Sequence, residues 1–562
     1  MARLFEEHIK RRVHSLNGAW RVKADPQDFG ERENWFCGLN AEKTVMVPSV
    51  WNEEKDMLSY MGAVWYEKRF FSNEGCLRLC FDAVMTEAKV WLDGAYLGSH
   101  YGGFTAFDFI VPRAAAGEHV LVLRADNRFD PCSIPQKRVD WYPYGGILRD
   151  VRAEELKGLC ILENRLEYTL AEDRKSAVCR FFLTCYQAGE GAAAPLQITL
   201  GGNTVYEGTV TLQKGRHSLQ LPDFSVENVR LWDLGKPELY DICICTDTDD
   251  VRDRAGFRTV EVRDGNILLN GKPIEIRGIN RHEDYPGFGF AFPPSRMQYD
   301  LDLILDLGCN AVRGAHYPQS QVFVDSLDAL GILFWSEIPI WGGGFSREAL
   351  GTPCVLERGL KMHKEMVGQY YNHPSILIWG MHNEILTDSG EAAAMSKAYY
   401  TYLKENGGNR LVVYATAQPM NDACFAYTDA LCINKYFGWY EGDMTVWDGF
   451  LDAFCRRRQK LGYGDKPILI SEFGAAALYG FHDAERSKWS EEYQAQVLRY
   501  CLELFQRHPE VCGSFVWQFC DMRTSPEMGF SRSRGFNNKG ILNEYRRPKA
   551  AYYAVRELFA RE

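Results

Sequence analysis

A chain of 562 residues is too long for one core of ordinary size, so about two to four domains are expected. A formal charge of −11 disfavours nucleic acid and anionic membrane as partners, because both would be repelled at long range. The 14 Trp, 29 Tyr and 32 Phe suit a sugar-stacking cleft as well as ordinary cores.

The N-terminal stretch MARLFEEHIKRRVHSLNGAW lacks the apolar core of a signal peptide, and no later stretch offers about 18 consecutive apolar residues. No Asn-X-Ser/Thr acceptor occurs either, so a soluble, cytoplasmic protein is expected. The 17 cysteines form no metal or disulfide framework by spacing. Cys76 and Cys80, and Cys243 and Cys245, fall on strand-like runs and are expected to be free, reduced thiols in a reducing compartment.

From residue 1 to about 155, VWYEKRFF, CLRLCFDAV, KVWLDGAYLG, FTAFDFIV and HVLVLRADN alternate or run apolar between turn residues. This predicts a β-sandwich over 1–155. LCILENRLEYTL, AVCRFFLTCYQ, LQITLGG, HSLQLPDF and YDICICTD repeat that texture, and their length and number suit an immunoglobulin-like sandwich over 156–259. A hairpin follows in VRDGNILLNGKPIEIRGI, with turns at Asp264-Gly265 and Asn270-Gly271.

Over 260–562 the texture changes to strand then helix. Eight candidate strands are legible at 274–279, 310–314, 332–338, 376–383, 411–417, 430–436, 468–473 and 513–519. Amphipathic segments such as MQYDLDLILDLG, QVFVDSLDALG and EEYQAQVLRYCLELFQRH lie between most of them. Eight strand-helix units point to a (β/α)₈ barrel, with chemistry on the loops after the strands' C-terminal ends. Nucleotide motifs fail: GNILLNGKP has one residue too many for a phosphate loop, and GFGF is not GxGxxG. No HExxH or Cys/His spacing supports a metal site, so neither a metal nor a nucleotide or redox cofactor is expected.

Glu384 follows the fourth candidate strand and Glu472 ends the seventh. A lone glutamate at a strand end is often a salt-bridge partner or cap, but strands four and seven face each other across a barrel mouth. Two facing carboxylates are what a retaining glycosidase needs, one protonated to donate to the leaving oxygen and one ionised to attack the anomeric carbon. Mutual repulsion and burial would split their pKa values as those roles require. Asn383 could then bind a sugar hydroxyl beside the reacting carbon, Tyr436 could donate to the nucleophile, and Trp517 could offer a stacking wall.

At these residues the chain resembles glycoside hydrolase family 2 and, within it, the β-glucuronidases. The likeness covers essentially the whole chain: FDAVMTEAKVWLDG, HYGGFTAF, RGINRHED, RGAHYP, NHPSILIWGMHNE, LCINKYFGWY, ILISEFG, VWQF and FNNKGIL. It implies a sugar-binding-like, jelly-roll-like sandwich, an immunoglobulin-like sandwich and a catalytic barrel. It also implies Glu384 as acid/base, Glu472 as nucleophile, and Asp140, His316, Asn383, Asn434, Tyr436, Tyr440 and Trp517 around the sugar. A homo-oligomer is implied only by family habit.

The segment RGFNNKGIL bears on the subclass. Alone it reads as a solvated loop. By the resemblance, Asn537 and Lys539 form the Asn-x-Lys pair that binds a uronic acid carboxylate, which implies β-glucuronide substrates; a β-galacturonidase or β-galactosidase is the alternative. Asn538, between them, is expected to point elsewhere, with Gly535 and Gly540 letting the backbone turn. Ile385 stands where the pattern usually has Pro, Met381-His382 where smaller residues are common, and 341–355 differs from well-known members. These departures leave the aglycone preference open, and a galacturonide would present the same carboxylate.

Overall fold

The structure is a computed structural model that describes residues 8–191 and 193–561. The first unit packs a four-stranded sheet, built on Arg12–Ser15, Val151–Leu156, Gly75–Phe81 and Phe107–Ala114, against a six-stranded one. Alternate residues of each strand turn inward, so Trp20, Leu77, Leu79, Phe81, Val90, Leu121 and Leu123 form one core. The second unit is a smaller sandwich of two four-stranded sheets around Phe181, Leu183, Ile198, Ile242 and Ile244. The hairpin turns sit where read: Asp264 (φ 50°), Gly265 (φ 73°), Asn270 (φ 54°) and Gly271 (φ 76°) are all left-handed, as tight hairpins require.

The remaining strands close into a parallel barrel: β1 (Ile276–Arg281), β2 (Ala311–Gly314), β3 (Leu333–Glu337), β4 (Ile376–Asn383), β5 (Leu411–Thr416), β6 (Leu431–Asn434), β7 (Ile468–Phe473) and β8 (Val511–Val516). All eight coincide with the strands legible in the sequence. Strands such as Leu411–Thr416 read as nearly continuous apolar runs because helices cover one face and the barrel interior the other. The longer helices are α1 (Pro294–Asp306), α2 (Gln321–Leu330), α3 (Pro353–Tyr370), α4 (Gly390–Asn406), α5 (Val446–Lys460), α6 (Glu491–Arg507) and α7 (Ala550–Phe559). The strict eightfold repeat fails at one place: β5 and β6 are joined only by a 3₁₀ turn, Phe425–Tyr427. The connection AQPMNDACFAYTD is short and rich in Pro, Asn and Asp, which favour turns over a helix.

Helix α6 shows how such segments are fixed. The Ser490 side chain accepts a hydrogen bond from the Tyr493 backbone N–H at its start, and Val497, Leu498, Cys501, Leu502 and Phe505 form one buried face. Truncating Phe505 to Ala would cost about 3–5 kcal/mol.

One reading of the cysteines is corrected. Cys132 and Cys354, 222 residues apart with Cα atoms 5.8 Å apart, form a disulfide between the first unit and the start of α3. A spacing rule has no purchase on a pair joined only by tertiary structure. Cys76, Cys80, Cys243 and Cys245 are free. Among the described residues, no helix is long and apolar enough to cross a membrane.

Residues 127–145 leave the first unit as a strap that lies on the barrel mouth. Beside Cys132, the Asp130 carboxylate accepts from both Arg358 terminal nitrogens, at 2.8 and 3.0 Å. Farther along, the Tyr142 N–H donates to the Arg523 carbonyl at 3.0 Å.

Candidate active site

All eleven expected residues meet in one connected network at the C-terminal ends of the strands. Glu384 leaves β4 with φ 53°, a left-handed conformation costing a non-glycine residue about 1–2 kcal/mol. Its backbone N–H donates to Ala415 O at 2.9 Å. Asn434, at the end of β6, donates through Nδ2 to Glu384 Oε1 at 2.9 Å and to Asn383 Oδ1 at 3.0 Å. Ser471 fixes that amide by donating to Asn434 Oδ1 at 2.6 Å.

Glu472 is buried on β7 and doubly held. Arg313 Nη1 donates to its Oε1 at 2.8 Å, and the Tyr436 hydroxyl donates to its Oε2 at 2.6 Å. Both of its oxygens are thereby fixed in direction. Burial, with the charges of Glu472 and Glu384, pushes the Tyr436 phenol well above its ordinary range, so it stays a donor. Glu384 differs: burial first, and then the Glu472 charge, raise its pKa to about 8. One carboxyl is therefore protonated at neutral pH beside one held by two donors.

Arg313 is the hub. Its guanidinium also reaches Glu337 at 3.0 Å and Asn383 Oδ1 at 2.8 Å. Glu337 ends β3 and accepts from His316 Nδ1 at 2.6 Å. Burial works against the ionised Glu337, but Arg313 and His316 outweigh it and hold the carboxyl below its ordinary range. The His316 ring stacks on Trp517 with centroids 5.1 Å apart, so one face of that tryptophan is covered. Asn383 Nδ2, by contrast, is buried with no partner among the described residues. A buried amide donor left unmade costs about 1–3 kcal/mol, which a ligand oxygen would recover.

The second half of the site is cationic. Lys539 is 2 % exposed, yet its Nζ has no carboxylate within ion-pair distance among the described residues; its partner is the Tyr440 hydroxyl at 2.6 Å. The ammonium also lies 4.5 Å from the Tyr440 ring centroid and 5.4 Å from that of Tyr436. Burial lowers the Lys539 pKa. Desolvation raises the Tyr440 phenol, but Lys539 and Arg532 outweigh it and hold it below its ordinary range.

Asp140, at the far end of the strap, accepts from Arg532 at 2.8 and 2.6 Å and from Asn537 Nδ2 at 2.8 Å. Arg532 also donates to the Tyr440 hydroxyl at 3.1 Å. Asn538 turns away, donating to Asp521 at 3.2 Å. Gly535 has φ 72°, and a Cβ at Gly540 would lie 2.1 Å from the Asp521 nitrogen, so both glycines are needed by the turn.

Sequence reasoning missed Arg313, Glu337 and Arg532. Glu337 carried the same cue as Glu384, a carboxylate at a strand's C-terminal end; the two arginines carried none. Elsewhere, a cleft of about 640 Å³ between the two sandwiches and the barrel is lined by Arg11, Arg78, Asp108 and Glu154, whose charges pair with one another. It contains neither Glu384 nor Glu472. A group of Asp325, Asp328 and His373 has spacing compatible with a metal ion, but His373 Nδ1 lies 2.5 Å from Asp328 Oδ2 as an ion pair, and the Ser375 N–H fills the other Asp328 oxygen.

Three family models match in order: the glycosyl hydrolases family 2 sugar binding domain over 13–156, glycosyl hydrolases family 2 over 183–258, and the glycosyl hydrolases family 2 TIM barrel domain over 260–561. A β-galacturonidase from Eisenbergiella tayi, solved bound to galacturonate, is 33% identical with a TM-score of 0.92, covering 100% of this chain and 99% of that one. The β-glucuronidase of Ruminococcus gnavus is 25% identical with a TM-score of 0.87, at coverages of 100% and 99%. A β-glucuronidase of Paenibacillus borealis is 26% identical over 98% of this chain and 97% of its own.

Proposed function

This chain belongs to glycoside hydrolase family 2 and is a glycoside hydrolase, and we propose that it is an exo-acting, retaining β-glucuronidase. Glu472 attacks the anomeric carbon and forms a covalent glycosyl-enzyme, while Glu384 gives its proton to the leaving oxygen. The deprotonated Glu384 then takes a proton from water, which releases the sugar with its configuration retained. Arg313 and Tyr436 each bond one oxygen of the nucleophile and aim it. The unpaired amide of Asn383 donates to a sugar hydroxyl next to the reacting carbon.

The observation that carries the uronide reading is Lys539, a buried ammonium without an anionic partner among the described residues. A uronate carboxylate would supply the missing charge, with the second N–H of the Asn537 amide beside it. A neutral hexoside would leave the cation unpaired, which is costly in a buried site.

A second reading, β-galacturonide hydrolysis, draws on the galacturonate-bound relative at 33% identity, above the 25–26% of the two glucuronidases. Both substrates present the same carboxylate and differ at C4. Paired kcat/KM measurements on nitrophenyl β-glucuronide, β-galacturonide and β-galactoside separate them. Preference for the glucuronide is expected, preference for the galacturonide transfers the proposal to the epimer, and preference for the galactoside removes the carboxylate clamp.

A further inference from the structure

We propose that Cys132 and Cys354 form a redox-controlled clamp that seats the 127–145 strap, and with it Asp140, against the sugar pocket. The proposal rests on the reading that the network around Asp140, Asn537 and Lys539 binds the sugar.

The strap meets the pocket at several points. Asp140 holds Arg532 and Asn537. The neighbouring Trp141 lies 5.8 Å from the His316 ring and 6.4 Å from Trp341, centroid to centroid. Gln136 and Arg138 press on Gly344, where an added Cβ would meet them at 2.6 and 2.8 Å. Gly342, in the same 3₁₀ turn, lies so close to the Glu384 carbonyl that a Cβ there would sit 1.6 Å from it. A strap that lifts therefore disturbs the specificity end of the pocket and the backbone that carries the proton donor.

Other contacts hold it as well: Ile134, Val139 and Trp141 are buried among barrel side chains, and Asp140 pairs with Arg532. Asp130 pairs with Arg358 beside the disulfide, and the Ile134 N–H donates to Tyr101 of the strap's own unit at 2.9 Å. Between Cys132 and Asp140 the strap's ion pair to the barrel is Lys137 with Glu527 at 2.9 Å, which is exposed and worth little. Opening the disulfide would thus shift the strap's population without releasing it altogether. Cys132 and Cys354 are both half-buried, within reach of a small thiol, whereas twelve of the fifteen free cysteines are buried.

Closing the clamp joins two thiols as one S–S bond, and their two electrons and two protons pass to a low-molecular-weight disulfide, which is cleaved to two thiols. An excess of such thiols reverses the exchange.

The test compares wild-type enzyme equilibrated with oxidised glutathione and with dithiothreitol, alongside the Cys132→Ser/Cys354→Ser variant in both buffers. A non-reducing peptide map of the oxidised wild type is expected to show the 132–354 link. Reduction is expected to speed amide hydrogen exchange across 127–145 and to raise KM for the uronide about three- to tenfold, with kcat changed less, because apparent affinity falls with the competent fraction. The double variant should show the higher KM in both buffers. Free thiols at both positions after oxidation, unchanged exchange and KM on reduction, or an equal response of the double variant would each overturn the proposal. The map and the exchange readout do not depend on uronide turnover, so failure of the substrate assignment is told apart from failure of the clamp.

Discussion

Replacing Lys539 with Ala removes the charge on which the substrate assignment turns. The ammonium is buried, touches the Tyr440 hydroxyl at 2.6 Å, and has no carboxylate partner among the described residues. Little internal structure is lost with it, and what disappears is its bond to the substrate. A charge-assisted hydrogen bond contributes about 1.5–3 kcal/mol, and at about 1.4 kcal/mol per tenfold this is roughly a 10- to 150-fold fall in kcat/KM for the uronide. A neutral hexoside gains nothing from the ammonium, so its slow turnover should stay within about threefold of wild type. Parallel assays on nitrophenyl β-glucuronide and β-galactoside with the same preparation give the answer. Equal losses on both substrates would refute the clamp and leave Lys539 as a support of its loop.

The other expectations concern the carboxylates. Glu384 has its pKa raised to about 8, so its protonated form dominates below that value; activity should be retained there and lost as pH rises through about 8, read from the alkaline limb of kcat/KM. Because the Glu472 charge is one cause of that rise, Glu472→Gln should move Glu384's titration down, measurable by carbon NMR of labelled glutamate. Tyr436→Phe deletes the 2.6 Å donor to Glu472 and should cut kcat by about 10- to 150-fold with the fold intact by circular dichroism. Glu384→Ala should slow the release of the sugar, and azide, which needs no base, should restore turnover of an activated aryl uronide as the β-uronosyl azide.

What the sequence disclosed and what it hid follow from how local each signal is. Barrel strands such as ILIWGMHN and ILISEF open on apolar runs that lead directly to the carboxylate, so Glu384 and Glu472 could be placed from the sequence. Glu337 was equally visible at the end of ILFWSE but has no partner nearby in the chain; its meaning comes from Arg313 and His316, 24 and 21 residues earlier. Arg532 lies 392 residues from Asp140, and Cys132 lies 222 from Cys354. No periodicity reports contacts of that kind. The missing helix between β5 and β6 was written in its turn-forming residues, but the expectation of a regular repeat outweighed them.

A covalent uronosyl-enzyme on Glu472 is tested most directly by trapping. The enzyme is incubated with a 2-deoxy-2-fluoro-β-glucuronosyl fluoride, and its intact mass and peptide map are recorded. The expected result is one added fluorouronosyl group per chain, on the peptide containing Glu472. A label on another residue, or none while the fluoride is hydrolysed, would contradict it.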